Sequence, residues 1–343
     1  MSHGGAERQM GYLAREFKKF DYEVKLVKFY PSENSFKTDY EEFGIEPELA
    51  ECGPSKWARP MYIARIIKLY KPDAVISYKD GACMGACLAR LFVKFNLIVS
   101  ERNTTQILSL KEKLKFCLYS LSNHVVANSV SQANFIKKRF RWLRHKTVVI
   151  TNMLDTDKYL KSNHDSKPSI SVLTTARIAE QKNVINYLYA LKILKGQSIN
   201  IHFDWFGYVQ EHDYYENIKE MISIHNLQDY ITFHPATNDV LSLYDNYTHF
   251  CLPSKYEGFP NSLCEAMASG LICVASDVCD NPYILKDQRF LFDPDNPNDI
   301  AEKIKFALNL TDSEKRNVSK NNRNEIIMLC SPESFITKYI QLI

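Results

Sequence analysis

The chain has 343 residues, 45% hydrophobic and 24% charged, with a net charge of +3. At roughly 100–200 residues per domain this length predicts two domains, each with a sizeable core. The longest apolar stretch is broken by Arg90 and Lys94, and MSHGGAERQM lacks the parts of a signal peptide, so neither a membrane span nor a secretory leader is expected. Nine cysteines without a CxxC pair, and no zinc-spaced histidines, point to reduced thiols in a cytoplasmic setting and to no structural metal.

In chain order, AERQMGYLAREFKKF (6–20) has apolar residues three and four apart, a helical pattern, and EVKLVKFY (23–30) reads as a strand. DAVISY, NLIVS, HVVANS and TVVIT follow as short β-branched runs separated by helical stretches such as GACMGACLARLFVKF. The polar segment 155–169 reads as a linker. A second series follows: SISVLTTAR, INIHFDWFG, YITFHPA, THFCLPS, LICVAS and RFLFDP. Such alternation predicts an α/β fold of two Rossmann-like, doubly wound parallel-sheet domains facing a cleft. The boundaries expected are 1–152 and 153–329, with a final helix at about 330–343 packing back on the first domain.

Charge divides unevenly. Residues 1–150 hold 25 Lys and Arg against 15 Asp and Glu, and residues 151–343 hold 18 against 25. Within the first part, 110–120 (with Lys111, Lys113 and Lys115) and 135–146 mix cations with Phe, Trp and Leu. That pattern suits either an anionic membrane surface or a solvated basic face. No nucleic-acid motif accompanies the charge, so nucleic acid is not expected as a partner.

KYEGFPNSLCEAMASG (255–270) places Glu257 before a turn and Glu265 inside the following helix. Ligands of doubly wound domains bind where strands end and helices begin. Gly258 suits a tight turn, Pro260 a first helical position and Gly270 a C-terminal cap. The helix start offers backbone N–H groups to a phosphate, and the two carboxylates could accept hydrogen bonds from a sugar and a ribose. A helix-capping carboxylate plus a surface glutamate explains the spacing as well.

These residues resemble the E-x7-E signature of the retaining, GT-B-fold glycosyltransferases of family 4, the group 1 glycosyltransferases. Glu257, Gly258-Phe259-Pro260 and Glu265-Ala266-Met267-Ala268 carry the match. The resemblance implies a nucleotide-sugar donor held through Gly258, Phe259, Pro260, Asn261, Ser262 and Leu263, and the nucleotide expected is UDP. It implies that Glu257 touches the transferred sugar and Glu265 the ribose. TTARIAEQKN (174–183) resembles the family's Arg-x4-Lys element, which implies that Arg177 and Lys182 stabilise the departing diphosphate without a metal or other cofactor. HGGAER (3–8) resembles its glycine-rich loop, bringing Gly4 and Gly5 to the donor phosphates.

The chain also departs from the family pattern. Where many relatives carry a histidine, VSERNTTQ offers Glu101, Arg102 and Asn103 as acceptor or sugar contacts, with a structural Glu-Arg pair as the alternative. The usual Gly-x-Gly is Gly207-Tyr208-Val209: the resemblance implies a donor contact at Gly207, and the departure lies at the second position, Val209. Only Met1, Ser2 and His3 precede Gly4, so the expectation is that the family's first N-terminal strand is missing, through a start-site error or a truncation. The activity implied is a retaining, hexosyltransferase-type, metal-independent transfer of a sugar to a lipid-linked saccharide in bacterial surface-polysaccharide (O-antigen or capsule) biosynthesis. The enzyme would be cytoplasmic and peripheral on the inner face of the plasma membrane. The alternatives are a nucleotide-sugar epimerase of the same fold and a truncated, non-catalytic sugar-nucleotide binder.

Overall fold

A computed structural model describes residues 5–30, 44–53, 55, 57–105, 108–160, 171–237 and 239–343. Its contacts divide the chain into two compact units, Met1–Met153 with Pro332–Ile343, and Leu154–Ser331.

In the first unit, β1 (Val27–Lys28) and β2 (Glu48–Leu49) form a two-residue parallel pair. The other strands are β3 (Ala74–Tyr78), β4 (Asn96–Glu101), β5 (His124–Ala127) and β6 (Thr147–Val149), which form a separate parallel sheet in that order. The run 23–30 therefore supplies two strand residues, not eight. Its one hydrogen-bonded neighbour among the described residues is equally short, so the rest of the run has no ladder to join.

Strand alternation sets the two faces of the larger sheet. Leu97, Val99, Val125 and Ala127 point into one core with Cys83, Phe116, Tyr119 and Ile136. Ile98 and Val126 point into the other, with Leu13 and Phe17 of the helix Gly5–Lys19 and Phe335, Ile336 and Tyr339 of the helix Pro332–Ile340. The last helix thus completes the first unit. Ser109 and Ser129 start two of the covering helices by accepting from the Glu112 and Gln132 amides, both at 3.2 Å, caps worth about 1 kcal/mol each. Gln9 closes the unit's edge: its amide bonds both the carbonyl (2.8 Å) and the N–H (2.6 Å) of Met153.

The second unit begins with a short helix, Thr156–Leu160, inside the expected linker; residues 161–170 lie outside the described residues. Six parallel strands follow: β7 (Ser171–Thr175), β8 (His202–Phe206), β9 (Ile231–His234), β10 (His249–Leu252), β11 (Ile272–Ser276) and β12 (Leu291–Phe292). Their order in the sheet is β12-β11-β10-β7-β8-β9. The chain winds one way from β7 and the other way from β10, so the topological switch point lies between these two adjacent strands. Trp205, Tyr187, Phe203 and Phe250 are fully buried around it. Among the described residues, no helix is long and apolar enough to cross a membrane.

Candidate active site at the switch point

β7 and β10 pair in parallel (Val172 with His249, Leu173 with Phe250), so the loops leaving their C-terminal ends lie side by side. The first carries Arg177 and Lys182; the second carries Glu257 and leads into the helix Asn261–Ala268. Two reciprocal bonds hold the loops together. The Lys255 N–H donates to the Gln181 carbonyl (2.9 Å), and the Gln181 side chain donates to the Tyr256 carbonyl (2.8 Å).

Glu257 and Lys182 meet. Their side chains are 8% and 10% exposed, and Lys182 Nζ lies 2.5 Å from Glu257 Oε1. Ser254 Oγ donates to the same oxygen at 2.6 Å, and the Glu257 N–H donates to Cys279 Sγ at 3.4 Å. Cys279 sits at φ 51° and Asn183, which follows Lys182, at φ 59°. The Asn183 amide bonds the Pro253 (3.0 Å) and Pro294 (2.8 Å) carbonyls, which fixes the loop's exit into the next helix.

Arg177 is held differently. Its guanidinium donates to the side-chain oxygens of Gln210 (2.6 Å) and Gln181 (2.8 Å), both neutral, and no carboxylate among the described residues pairs with it. It is a positioned cation whose charge remains available to an anion. Gly207 helps to place it. A Cβ there would fall 1.9 Å from the Ala176 carbonyl oxygen, which also accepts from the Trp205 indole at 2.8 Å. The absent side chain at 207 therefore lets the loop before Arg177 pair with β8 and its extension, through Ala176 N–H to Phe206 and Ile178 N–H to Tyr208.

The helix Asn261–Ala268 starts at Pro260, its N-cap at φ −81° and ψ 77°, and no side chain caps it. Pro260 thus precedes the helix, one place earlier than the sequence suggests. Phe259 and Leu263 are buried in the core, so contacts from them to a ligand would run through their backbone. Asn261 is exposed, and Ser262 and Gly258 are half-buried at the same end. Gly258 is not among the left-handed glycines, whereas Gly270 is, at φ 79°, and a Cβ there would meet Ser319 and Arg323 within 2.7 Å. Glu265 lies apart from Glu257 in its bonding. It accepts from the Tyr244 hydroxyl at 3.2 Å, which also contacts Thr175 Oγ1 at 2.9 Å. Burial foremost, with the Glu265 charge, keeps the Tyr244 phenol protonated by raising its pKa well above the ordinary range.

The remaining candidates lie in the first unit. Gly4 is outside the described residues, and Gly5 is the first residue of the helix Gly5–Lys19. Glu101 is fully buried. Its carboxylate meets Lys115 Nζ at 2.9 Å, the Asn103 N–H at 3.2 Å and the Tyr119 hydroxyl at 3.3 Å. Lys115, grouped with the basic face by its spacing, is in fact 1% exposed and also meets Glu112 (2.7 Å) and Asp80 (3.4 Å). Burial disfavours its ammonium, but the Glu101, Glu112 and Asp80 carboxylates outweigh that and raise its pKa above the ordinary value. Arg102 belongs to a separate network, donating to Ser100 (2.8 Å), Asn152 (2.5 Å), Tyr78 (2.8 Å) and Tyr339 (3.2 Å). The Glu-Arg pair is therefore divided between two internal networks, and Asn103 is the exposed member of the three.

Sequence reasoning missed Gln181, Ser254 and Cys279. Gln181 could have been found from its place between the two cations; Ser254 and Cys279 carried no signal. No group of three or more His, Cys, Asp or Glu among the described residues could hold a metal ion.

An uncapped helix end, a cation held by neutral amides and an ion-paired carboxylate meet at the switch point of a parallel sheet, where doubly wound α/β proteins bind their ligands. A family model for glycosyl transferases group 1 matches residues 155–325, and one for glycosyltransferase family 4 matches residues 3–158. The chain belongs to the group 1, family 4 glycosyltransferases. It is 24% identical over 322 residues to a Campylobacter jejuni enzyme, the GalNAc-alpha-(1->4)-GalNAc-alpha-(1->3)-diNAcBac-PP-undecaprenol alpha-1,4-N-acetyl-D-galactosaminyltransferase, covering 90% of this chain and 87% of that one. The crystal structure of a Rickettsia africae glycosyltransferase matches with a TM-score of 0.86 at 17% identity, covering 100% of this chain and 95% of that one. Anabaena HepE, in complex with UDP and glucose, matches at 0.79 and 18% identity, covering 99% and 96%. These structures establish the fold, two parallel-sheet α/β domains of the GT-B kind.

Proposed function

We propose that the protein is a retaining, metal-independent glycosyltransferase that moves a sugar from a UDP-sugar to a lipid-linked saccharide during assembly of a bacterial surface polysaccharide. The observation that carries this reading is the convergence on one switch point of Arg177, the Lys182–Glu257 pair and the open start of the helix Asn261–Ala268. A diphosphate laid on that helix end would meet backbone N–H groups and the Arg177 guanidinium. Lys182 can share its charge between Glu257 and the departing phosphate. Fixed cations would then supply the leaving-group stabilisation for which many transferases use a metal ion.

In the reaction proposed, the acceptor hydroxyl oxygen bonds to the anomeric carbon as the bond from that carbon to the diphosphate breaks. The acceptor proton passes to the departing diphosphate oxygen, and both events occur on one face of the sugar. Glu257 orients the sugar hydroxyls, and Glu265, steadied by Tyr244, takes the ribose. The UDP bound to HepE supports the choice of nucleotide. The undecaprenyl diphosphate in the name of the Campylobacter enzyme's substrate supports a lipid-linked acceptor.

A surface of the first unit supports work at a lipid boundary on the cytoplasmic side. Leu110 (82% exposed), Leu114 (55%) and Trp142 (54%) stand out among the exposed cations Lys111, Lys113, Lys138, Arg139, Arg141 and Arg144. The Trp142 indole reaches the Phe116 carbonyl at 3.5 Å, so the two basic segments form one patch. Apolar anchors ringed by Lys and Arg suit an anionic leaflet. The test is a panel of radiolabelled UDP-sugars with undecaprenyl diphosphate-linked saccharides, run with and without EDTA. Transfer from one donor, unchanged by EDTA, is expected. Epimerised donor, binding without turnover, or activity lost to EDTA and restored by a divalent cation would contradict the reading.

A further inference from the structure

A cavity of about 510 Å³ lies in the second unit between the helix Asp312–Cys330 and the segment Leu285–Phe290, and it shares no residue with the switch-point site. Its size falls within the range of small-molecule sites. On the helix, Asn317, Asn321, Asn324 and Met328 recur at intervals of four, three and four residues, which places them on one face. The three asparagines are exposed, and their side-chain amides bond nothing among the described residues. Met328 is 63% exposed and offers the cavity's accessible apolar surface, while Phe290 and Leu310 are buried beneath it.

The charged groups of the wall are already matched. Lys286 pairs with Glu325, and Arg289 Nη2 meets Asp287 Oδ2 at 2.7 Å. Glu314 closes the capping box at the helix start, accepting from the Thr311 N–H at 2.8 Å. The uncommitted polar groups are therefore neutral amides, each with two donors and an acceptor. A phosphate or carboxylate ligand would find no spare cation there. Lys286 also holds φ 57° with ψ −39°, a backbone conformation that L residues rarely adopt, at the point where the wall turns.

We infer that this cavity is a second carbohydrate site, one that binds an uncharged saccharide through the amide stripe on its hydroxyls and through Met328 on its C–H face. Such a site would hold a glycan chain at a point remote from the transfer centre. The readout below involves no donor and no turnover, so it stands or falls apart from the chemistry proposed above.

The experiment is saturation-transfer NMR and calorimetry on the whole chain with maltotriose, N,N′-diacetylchitobiose and inorganic phosphate. The variant is N317A/N321A/N324A; alanine favours helix at exposed positions, so the fold should persist, and circular dichroism checks it. Binding of at least one sugar at millimolar concentration, weakened at least about tenfold in the triple variant, is the expected result. No sugar binding at that concentration, binding undiminished by the variant, or binding of phosphate in preference to both sugars would overturn the inference.

Discussion

Replacing Lys182 with methionine keeps much of the side chain's volume and removes its charge. The Glu257 carboxylate, 8% exposed, then loses an ammonium 2.5 Å away, although the Ser254 hydroxyl remains at 2.6 Å. Removing one partner of a buried pair typically costs about 3–5 kcal/mol, because a charge stays buried without compensation. A domain the size of Leu154–Ser331 shifts its melting temperature by roughly 2–4 °C per kcal/mol, so a fall on the order of 10 °C is expected. Glu257→Gln alone should also destabilise, by stranding Lys182. The double variant leaves two neutral groups and should recover much of the loss, giving a coupling of at least about 2 kcal/mol. Calorimetry or urea unfolding of the four proteins reads this directly, and transfer should be slow in every variant. Strictly additive losses, or an unshifted melting temperature in the Lys182 variant, would refute a buried, energetically coupled pair.

Arg177→Ala should lower transfer at least about a hundredfold with the melting temperature nearly unchanged, since its present partners are neutral amides; a near-normal rate would remove it from the mechanism. Reversing Lys137, Lys138, Arg139 and Arg141 to Glu should release the protein from anionic vesicles in a sedimentation assay, at about 1 kcal/mol for each original charge. Binding unaffected by that change or by added salt would favour a plain solvated face. Lys115→Met should cost about 3–5 kcal/mol by leaving Glu101, Glu112 and Asp80 facing one another. Because Lys115 is held above its ordinary pKa, its stabilisation is complete below the unfolded value of about 10.4 and is lost as pH rises through the folded value. The deficit of this variant should therefore stay constant from neutral pH to about 9 and shrink at higher alkalinity.

Much of the fold was legible because each strand and helix declares itself over a few residues. The parallel order of β7 and β10, and with it the neighbourhood of the Arg177 and Glu257 loops, follows from alternation plus the rules of doubly wound sheets. What was illegible depends on distant partners. Lys182 and Glu257 are 75 positions apart, and nothing local says that they bond each other before they bond a ligand. Lys115 reads as one more cation in a basic run, yet its helical phase turns it inward to a carboxylate on β4. Glu101 and Arg102, adjacent in sequence, point to opposite sides of the strand end and join different networks. Gly207 shows a glycine required by a neighbouring carbonyl, a steric demand that no motif spells out.

The central claim, transfer with retention at the switch-point site, is tested most directly by the configuration of the product. An α-linked UDP-sugar identified by the donor panel should be turned over with a lipid-linked acceptor, and the new glycosidic bond assigned by NMR from the coupling of its anomeric proton. An α linkage, formed by the wild type and nearly abolished in Glu257→Gln, is the predicted result. A β linkage, or an α linkage formed at an undiminished rate by that variant, would contradict it.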